Sequence, residues 1–139
     1  MHQNTCTKLE AENLKNIMPT EAEEQAALFH WAGLMQGQHP ELKLLHHIPN
    51  GGYRNKREAA RLQREGVKAG VPDICLPVAR HGCHGLYIEL KRRKGGRLSP
   101  SQACWMEQLQ KQNYQVAVCY GFDEAKRIIL QYLNPENES

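Results

Sequence analysis

The sequence predicts a one-domain α/β fold with a mixed central β-sheet and helices on both of its faces. The chain has 139 residues, which is the size of a single domain. Hydrophobic residues make up 40% and charged residues 24%, a balance that supports a packed core and argues against general disorder. Short apolar runs alternate with segments of helical periodicity, as in a layer of strands covered by helices.

The first half of the chain predicts a helix, a strand and a basic helix. Thr20 can cap the first helix, and Glu23 completes a capping box three residues later. The apolar run 42–48 predicts a strand that ends at the turn signal 49–52. Residues 55–68 follow with a helical pattern rich in Arg and Lys.

The second half predicts two strands, a helix, a strand and a last helix. Residues 74–78 and 86–91 form the two apolar strands, joined by a loop that contains glycine. Ser99 can cap the next helix. An alternating strand over 114–120 and an amphipathic helix over 123–133 complete the order.

Polar tails are expected at both ends, over residues 1–18 and 134–139, so the domain is expected to span residues 19–133. The N-terminus lacks the pattern of a secretory signal, and no apolar run approaches the roughly 18 residues of a membrane span. These features predict a cytoplasmic protein without a membrane segment.

The cysteines and tryptophans are expected to be packing residues. Five cysteines without a CxxC pair argue against a disulfide framework. Cys75, Cys104 and Cys119 lie in apolar runs, so we expect them to be buried. Trp31 and Trp105 lie on apolar helical stripes, which favours packing over base stacking.

Positive charge is concentrated in two segments, although the net charge is only +3. The first segment contains Arg54, Lys56, Arg57, Arg61, Arg64 and Lys68. The second contains Lys91, Arg92, Arg93, Lys94 and Arg97. Such a pattern predicts a one-sided positive surface that suits a polyphosphate backbone, because each neutralised phosphate releases counterions. The alternative is that each run is a solvated helix face.

A candidate metal site lies on the two central strands. Asp73 precedes one strand, and Glu89 and Lys91 lie two residues apart on the next, so these two share a face. Asp73 and Glu89 can hold one hard cation between them, with the backbone carbonyl of Leu90 as a further ligand. Mg²⁺ fits this set because it needs few carboxylates. Lys91 can orient a water or stabilise developing charge. The alternative is an ordinary exposed ion pair, but a carboxylate on a central strand is costly without a partner.

These motifs resemble those of the VRR-NUC branch of the PD-(D/E)XK nucleases. Pro72-Asp73 followed by Glu89-Leu90-Lys91 is similar to the superfamily signature. Three further segments carry the resemblance to the branch: 46–76, 98–102 and 115–119. It extends over residues 19–133 and implies a restriction-endonuclease-like core. Small single-domain members are typical of phages and prophages.

The resemblance implies a Mg²⁺- or Mn²⁺-dependent phosphodiesterase. Asp73 and Glu89 match the family's metal ligands, and Lys91 matches its catalytic lysine. Gln102 matches a polar site residue on the helix after the lysine strand, although it can also be an ordinary surface residue.

The family also places a glutamate on the first helix. Glu21 fits best, as a catalytic residue and metal ligand, because it shares a helix face with Leu28 and Ala32. Glu24 is the competitor, and in the alternative interpretation both residues only complement the helix dipole.

The residues expected to contact nucleic acid are Asn50, Arg54, Lys56, Arg57, Arg61, Arg64, Lys68, Arg92, Arg93 and Lys94. Asn50 can equally be a turn residue. No base-reading motif is evident, which favours recognition of DNA shape. Standalone members of the family that this chain resembles look like homodimeric enzymes that cleave junctions. The resemblance therefore implies a homodimeric, metal-dependent DNA endonuclease that acts on branched DNA or Holliday junctions. The alternatives are a sequence-preferring restriction-like or nicking endonuclease, a catalytically decayed DNA-binding module, and RNA as the substrate.

Overall fold

The chain folds in the predicted order of helices and strands. A computed structural model describes residues 18–49 and 55–135. The elements are α1 (Glu21–Leu34), a 3₁₀ turn (Pro40–Leu44), β1 (His46–His47), α2 (Lys56–Arg64), β2 (Ile74–Leu76), β3 (Leu86–Lys91), α3 (Pro100–Lys111), β4 (Gln115–Tyr120) and α4 (Phe122–Leu133). Most of the two predicted tails, and the turn residues 50–54, lie outside the described residues.

The four strands form one mixed sheet in the order β1-β2-β3-β4. β2 pairs antiparallel with both β1 and β3, whereas β3 and β4 are parallel. The parallel pair is connected through α3, as a crossover between parallel strands requires. The mixed sheet confirms the predicted α/β class.

The helices cover both faces of this sheet. Ile88 and Leu90 of β3 are buried in the core together with residues of α1 and α4, such as Leu28 and Ile129. Alternate residues of a strand point to opposite faces, so Glu89 and Lys91 face away from this core. Their side chains meet α3 on the other face of the sheet. The candidate site therefore lies between the sheet and the start of α3.

One predicted strand is mostly absent. Residues 42–44 of the expected run belong to the 3₁₀ turn Pro40–Leu44, and only His46–His47 pair with β2. Pro40 lacks an N–H and begins the turn. Leu42 and Leu45 are both buried, and the 3₁₀ period of three places residues i and i+3 on one side. The apolar spacing that suggested a strand is thus the spacing of a tighter helix.

One helix is shorter than its sequence pattern, and one burial prediction is corrected. The basic helix ends at Arg64, inside the pattern over 55–68, because Gly66 adopts a φ of 104° and its N–H donates to the carbonyl of Gln63. Cys104, expected to be buried, is exposed on α3, whereas Cys75 and Cys119 are buried as predicted.

Candidate active site

Glu89 is a buried carboxylate at the centre of the sheet, with 1% of its surface exposed. Its Oε1 accepts a hydrogen bond from Gln102 Nε2 at 2.8 Å and lies 3.4 Å from Lys91 Nζ. Its Oε2 is buried and has no hydrogen-bond partner within the described part of the chain. Burial, followed by the negative charge of Asp73, raises the pKa of Glu89 to about 8. The site therefore holds a carboxylate whose charge is incompletely compensated.

Asp73 lies beside Glu89 because it extends the pairing of β2 with β3. Its Oδ2 accepts a hydrogen bond from Leu90 N at 3.0 Å, just beyond the last ladder pair. Its own carbonyl accepts bonds from Ile48 N at 2.7 Å and His47 Nδ1 at 2.8 Å. Both ends of Asp73 are thus fixed to neighbouring strands.

The carbonyl of Leu90 points to the edge of β3 where Asp73 lies. Lys91 carbonyl accepts a hydrogen bond from Gly121 N at 2.9 Å, on the side of β4. Backbone groups of successive strand residues point to opposite edges, and the N–H and C=O of one residue point to the same edge. Leu90 donates its N–H to Asp73, so its carbonyl faces the same edge.

Lys91 is held in place by α3 and by a close turn. Its Nζ donates to Gln102 Oε1 at 2.9 Å, and the same oxygen accepts Ser99 N at 2.9 Å as part of the helix capping box. A Cβ on Gly96 would lie 2.8 Å from Lys91 Cβ, so the turn after β3 packs directly on the lysine stem. The helix cap and the ammonium position are therefore coupled through one amide side chain.

The charges of this cluster act on Glu21, whose side chain is exposed at the start of α1. Partial burial raises the pKa of Glu21, the charge of Asp73 adds to the rise, and the charge of Lys91 opposes it, so Glu21 lies within electrostatic range of the site. Glu24 is 2% exposed and accepts hydrogen bonds from Arg93 Nε at 2.8 Å and from the backbone N–H of Phe122. Glu24 therefore anchors α1 to α4.

The anchoring role of Glu24 has a signal in the sequence that the prediction did not use. Residues 24, 28 and 32 are spaced i, i+4 and i+8, so Glu24 lies on the same helix face as Leu28 and Ala32, which are both buried. A glutamate on that stripe requires a partner of opposite charge, which Arg93 provides.

The donor set fits a hard divalent cation. Among residues 18–49 and 55–135, no group of three or more His, Cys, Asp or Glu side chains is close enough to bind a metal. The available ligands are the carboxylates of Asp73 and Glu89 and the carbonyl of Leu90. Mg²⁺ is bound in proteins by one or two carboxylates, and waters complete its coordination. The unpartnered Glu89 Oε2 and the raised pKa of this carboxyl are features that a cation would relieve.

The residues predicted to contact nucleic acid differ in their exposure. Asn50 and Arg54 lie outside the described residues. No residue of α2 is buried, and three arginines spaced i, i+4 and i+7 share one side of it. We call these three residues the arginine face: Arg57, Arg61 and Arg64. Lys56, Lys68 and Lys94 are also exposed, and Arg92 is half-buried.

Arg93 is exposed but paired with two carboxylates of the protein. Its Nε binds Glu24 at 2.8 Å, and its Nη2 lies 3.6 Å from Asp123 Oδ2. The stem of Arg93 also packs against Gly121, where an added Cβ would lie 2.7 Å from Arg93 Cγ and φ is 95°. Arg93 therefore has a structural role, and its contact with DNA stays a prediction.

A mixed sheet that brings together a buried carboxylate, a second acid and a fixed lysine is the arrangement expected of a nuclease-type α/β domain. Residues 12–123 match the VRR-NUC domain family. A solved structure described as "VRR_NUC domain protein" is 34% identical, with a TM-score of 0.71, and the match covers 83% of this chain and 88% of that one. No curated protein gives a significant match. The chain belongs to the VRR-NUC family, and this domain implies a nuclease-type function.

The membrane prediction can also be compared with the structure. No helix in the described part of the chain combines the length and the apolar character needed to cross a bilayer.

Proposed function

We propose that this chain is a Mg²⁺- or Mn²⁺-dependent endonuclease that hydrolyses phosphodiester bonds in DNA, with a preference for branched DNA such as Holliday junctions. The observation that carries the proposal is the unpartnered, buried Oε2 of Glu89 next to Asp73. A structural carboxylate would have its oxygens satisfied, as Glu24 does.

The roles of the residues follow from their contacts. Asp73, Glu89 and the carbonyl of Leu90 would hold the metal, and Glu21 would contribute through its charge from the end of α1. When bound, such a metal polarises a phosphoryl oxygen and lowers the pKa of a bound water. Lys91 directs a positive charge to the position where a phosphate would lie, and it stabilises the negative charge that develops during hydrolysis.

Gln102 has a positioning role in this proposal. One end of its amide donates to Glu89 and the other accepts from Lys91, so it fixes the separation of the carboxylate and the ammonium. The ammonium and the carboxylate already form an ion pair at 3.4 Å through Glu89 Oε1. Gln102 therefore sets the geometry of this pair and leaves Glu89 Oε2 to the metal.

The arginine face and nearby lysines supply a binding surface for DNA that does not depend on sequence.

We infer that the domain over residues 19–133 works as a homodimer, because one domain carries one site and a junction must be cut in two strands. The cytoplasmic location and the phage or prophage source remain predictions from the sequence.

A substrate panel tests this function. The purified chain would be incubated with Mg²⁺, Mn²⁺ or EDTA and with a four-way junction, a flap, a splayed duplex and a linear duplex of the same sequence. We expect cleavage with either metal, none in EDTA, and faster cleavage of the branched substrates. Cutting of the linear duplex at one sequence would instead support a restriction-like enzyme, and DNA binding without cleavage would support a decayed module. Cleavage of matched RNA would change the substrate class.

A further inference from the structure

A cavity of about 480 Å³ lies between α3, the residues that follow β1 and the segment that follows α2. Most of its lining is apolar: Ile48, Pro49, Val67, Val71 and Trp105. Exposed Lys68 also lines it, together with Gly66 and with Glu65, whose carboxylate pairs with Arg61 at 3.1 Å. Its volume lies within the range of pockets that bind small organic groups.

The two tryptophans of the chain have different environments. Trp31 packs against the hydrophobic core and makes an edge contact with Phe122 at a centroid distance of 6.4 Å. Trp105 is half-buried and, within the described residues, is not part of the buried core cluster. The expectation that both would serve packing therefore holds for Trp31, whereas Trp105 presents an aromatic side chain to the cavity.

The cavity and the active site share three structural supports. Trp105 follows Gln102 by three residues on α3, so both side chains leave the same side of that helix. Ile48, in the cavity wall, donates its N–H to the carbonyl of Asp73 at 2.7 Å. Gly70 packs so closely on α3 that an added Cβ would lie 2.6 Å from the carbonyl oxygen of Ser101. The distance between cavity and site is therefore fixed by the fold.

We propose that this cavity binds one unstacked nucleobase of the DNA strand, close to the phosphodiester that Asp73, Glu89 and Lys91 act on. The base would stack on Trp105 between the aliphatic walls, since every base has a π-face that an aromatic side chain accepts. The wall at 65–68 continues directly from α2, so the arginine face and Lys68 provide cations for the phosphates on either side of the base. The inference rests on the proposed function, and it gives a physical basis for the preference for branched DNA. Placing a base in a pocket costs least when that base is already unpaired.

Binding of splayed duplexes with single abasic sites tests the pocket. Each position of the unpaired arm would be made abasic in turn, and affinities would be measured by fluorescence anisotropy in Mg²⁺ on the Lys91→Ala background, where cleavage is not expected. Base stacking worth about 1–3 kcal/mol predicts that Trp105→Ala weakens binding of the intact substrate by roughly 5- to 150-fold. At one position of the arm, removing the base should cause a similar loss of DNA affinity in the protein that keeps Trp105. In Trp105→Ala, the same abasic substrate should show little further loss of affinity. Trp105→Phe should retain most of the affinity.

A second measurement does not depend on truncating Trp105. The variant Trp31→Phe leaves Trp105 as the sole tryptophan. Its fluorescence should be quenched by the intact splayed duplex, and less by the duplex that is abasic at the position found above.

The outcomes separate this inference from the proposed function. If the wild-type chain cleaves branched DNA but no abasic position differs between Trp105 and Trp105→Ala, the base pocket is wrong and the nuclease proposal stands. If the abasic effect and the quenching are present but no metal supports cleavage, the pocket stands and the endonuclease proposal is wrong. A chain that binds none of these DNAs overturns both.

Discussion

Replacing Glu89 with Gln should stabilise the metal-free protein at high pH, which is an unusual effect for a substitution at a central site. The pKa of Glu89 is raised from 4.5 to about 8 in the folded chain. The unfolded chain has the ordinary pKa, so between these two values the folded state keeps a proton that the unfolded state has lost. The stability contribution is therefore fully present below about pH 4.5 and is lost as the pH rises through about 8.

The magnitude follows from the size of the pKa rise. A rise from 4.5 to about 8 corresponds to at most about 5 kcal/mol at pH 8. Relaxation and water penetration reduce such penalties, so we expect Glu89→Gln to be more stable than the wild type by about 2–3 kcal/mol. For a domain of this size, that difference raises Tm by roughly 5–10 °C.

The assay is thermal unfolding of wild type and Glu89→Gln at about pH 5 and about pH 8, in EDTA and in Mg²⁺. Glu107→Gln is the matched control, because Glu107 is exposed on α3 and pairs only with Lys111 at the surface among the described contacts. Mg²⁺ should raise the Tm of the wild type at pH 8 and leave that of Glu89→Gln almost unchanged. A Tm difference that is the same at both pH values would refute the reasoning.

Three further predictions concern the surroundings of Glu89. Lys91→Ala should abolish cleavage with little loss of DNA affinity. Alanine at all three positions of the arginine face should instead weaken DNA binding and lower the salt slope of the affinity by up to about three. Titrations at several salt concentrations measure this slope, and an unchanged slope would contradict a role of the arginine face in binding. Glu21→Gln should lower turnover at normal Tm, and Glu24→Gln should lower Tm by weakening the ion pair between Glu24 and Arg93. The reverse result would mean that Glu24, and not Glu21, serves the active site. Gly96→Ala should reduce turnover by displacing the Lys91 stem, unlike Gly33→Ala, where an added Cβ has nothing within 4 Å.

Local sequence signals predicted most of the fold. The structure confirms Thr20 and Ser99 as N-caps. This signal is local, since a hydroxyl side chain just before a helical pattern can accept a hydrogen bond from the first turn. The run at 42–48 was misassigned because a short apolar segment does not distinguish a period of two from a period of three. Only the packing of Leu42 and Leu45 into the core reveals the 3₁₀ turn.

The candidate site was predictable in composition but not in contacts. Strand alternation placed Glu89 and Lys91 on one face, and the structure agrees. That Gln102 bridges the two, and that Arg93 turns inward to Glu24, depends on tertiary pairs 11 and 69 residues apart. No local pattern encodes such pairs. Likewise, the apolar stripe that contains Trp105 predicts an apolar helix face. It does not tell whether this face packs against the hydrophobic core or lines a cavity.

The central claim is that Asp73 and Glu89 together hold a divalent metal that this chain needs to cut DNA. The most direct measurement compares cleavage of a four-way junction, in Mg²⁺ and in Mn²⁺, by the wild type, Asp73→Asn, Glu89→Gln and the control Glu107→Gln. We predict that both site variants fold and bind the junction but lose cleavage by orders of magnitude, while the control cuts like the wild type. Wild-type turnover in either folded site variant, with contaminating nuclease excluded, would contradict the account.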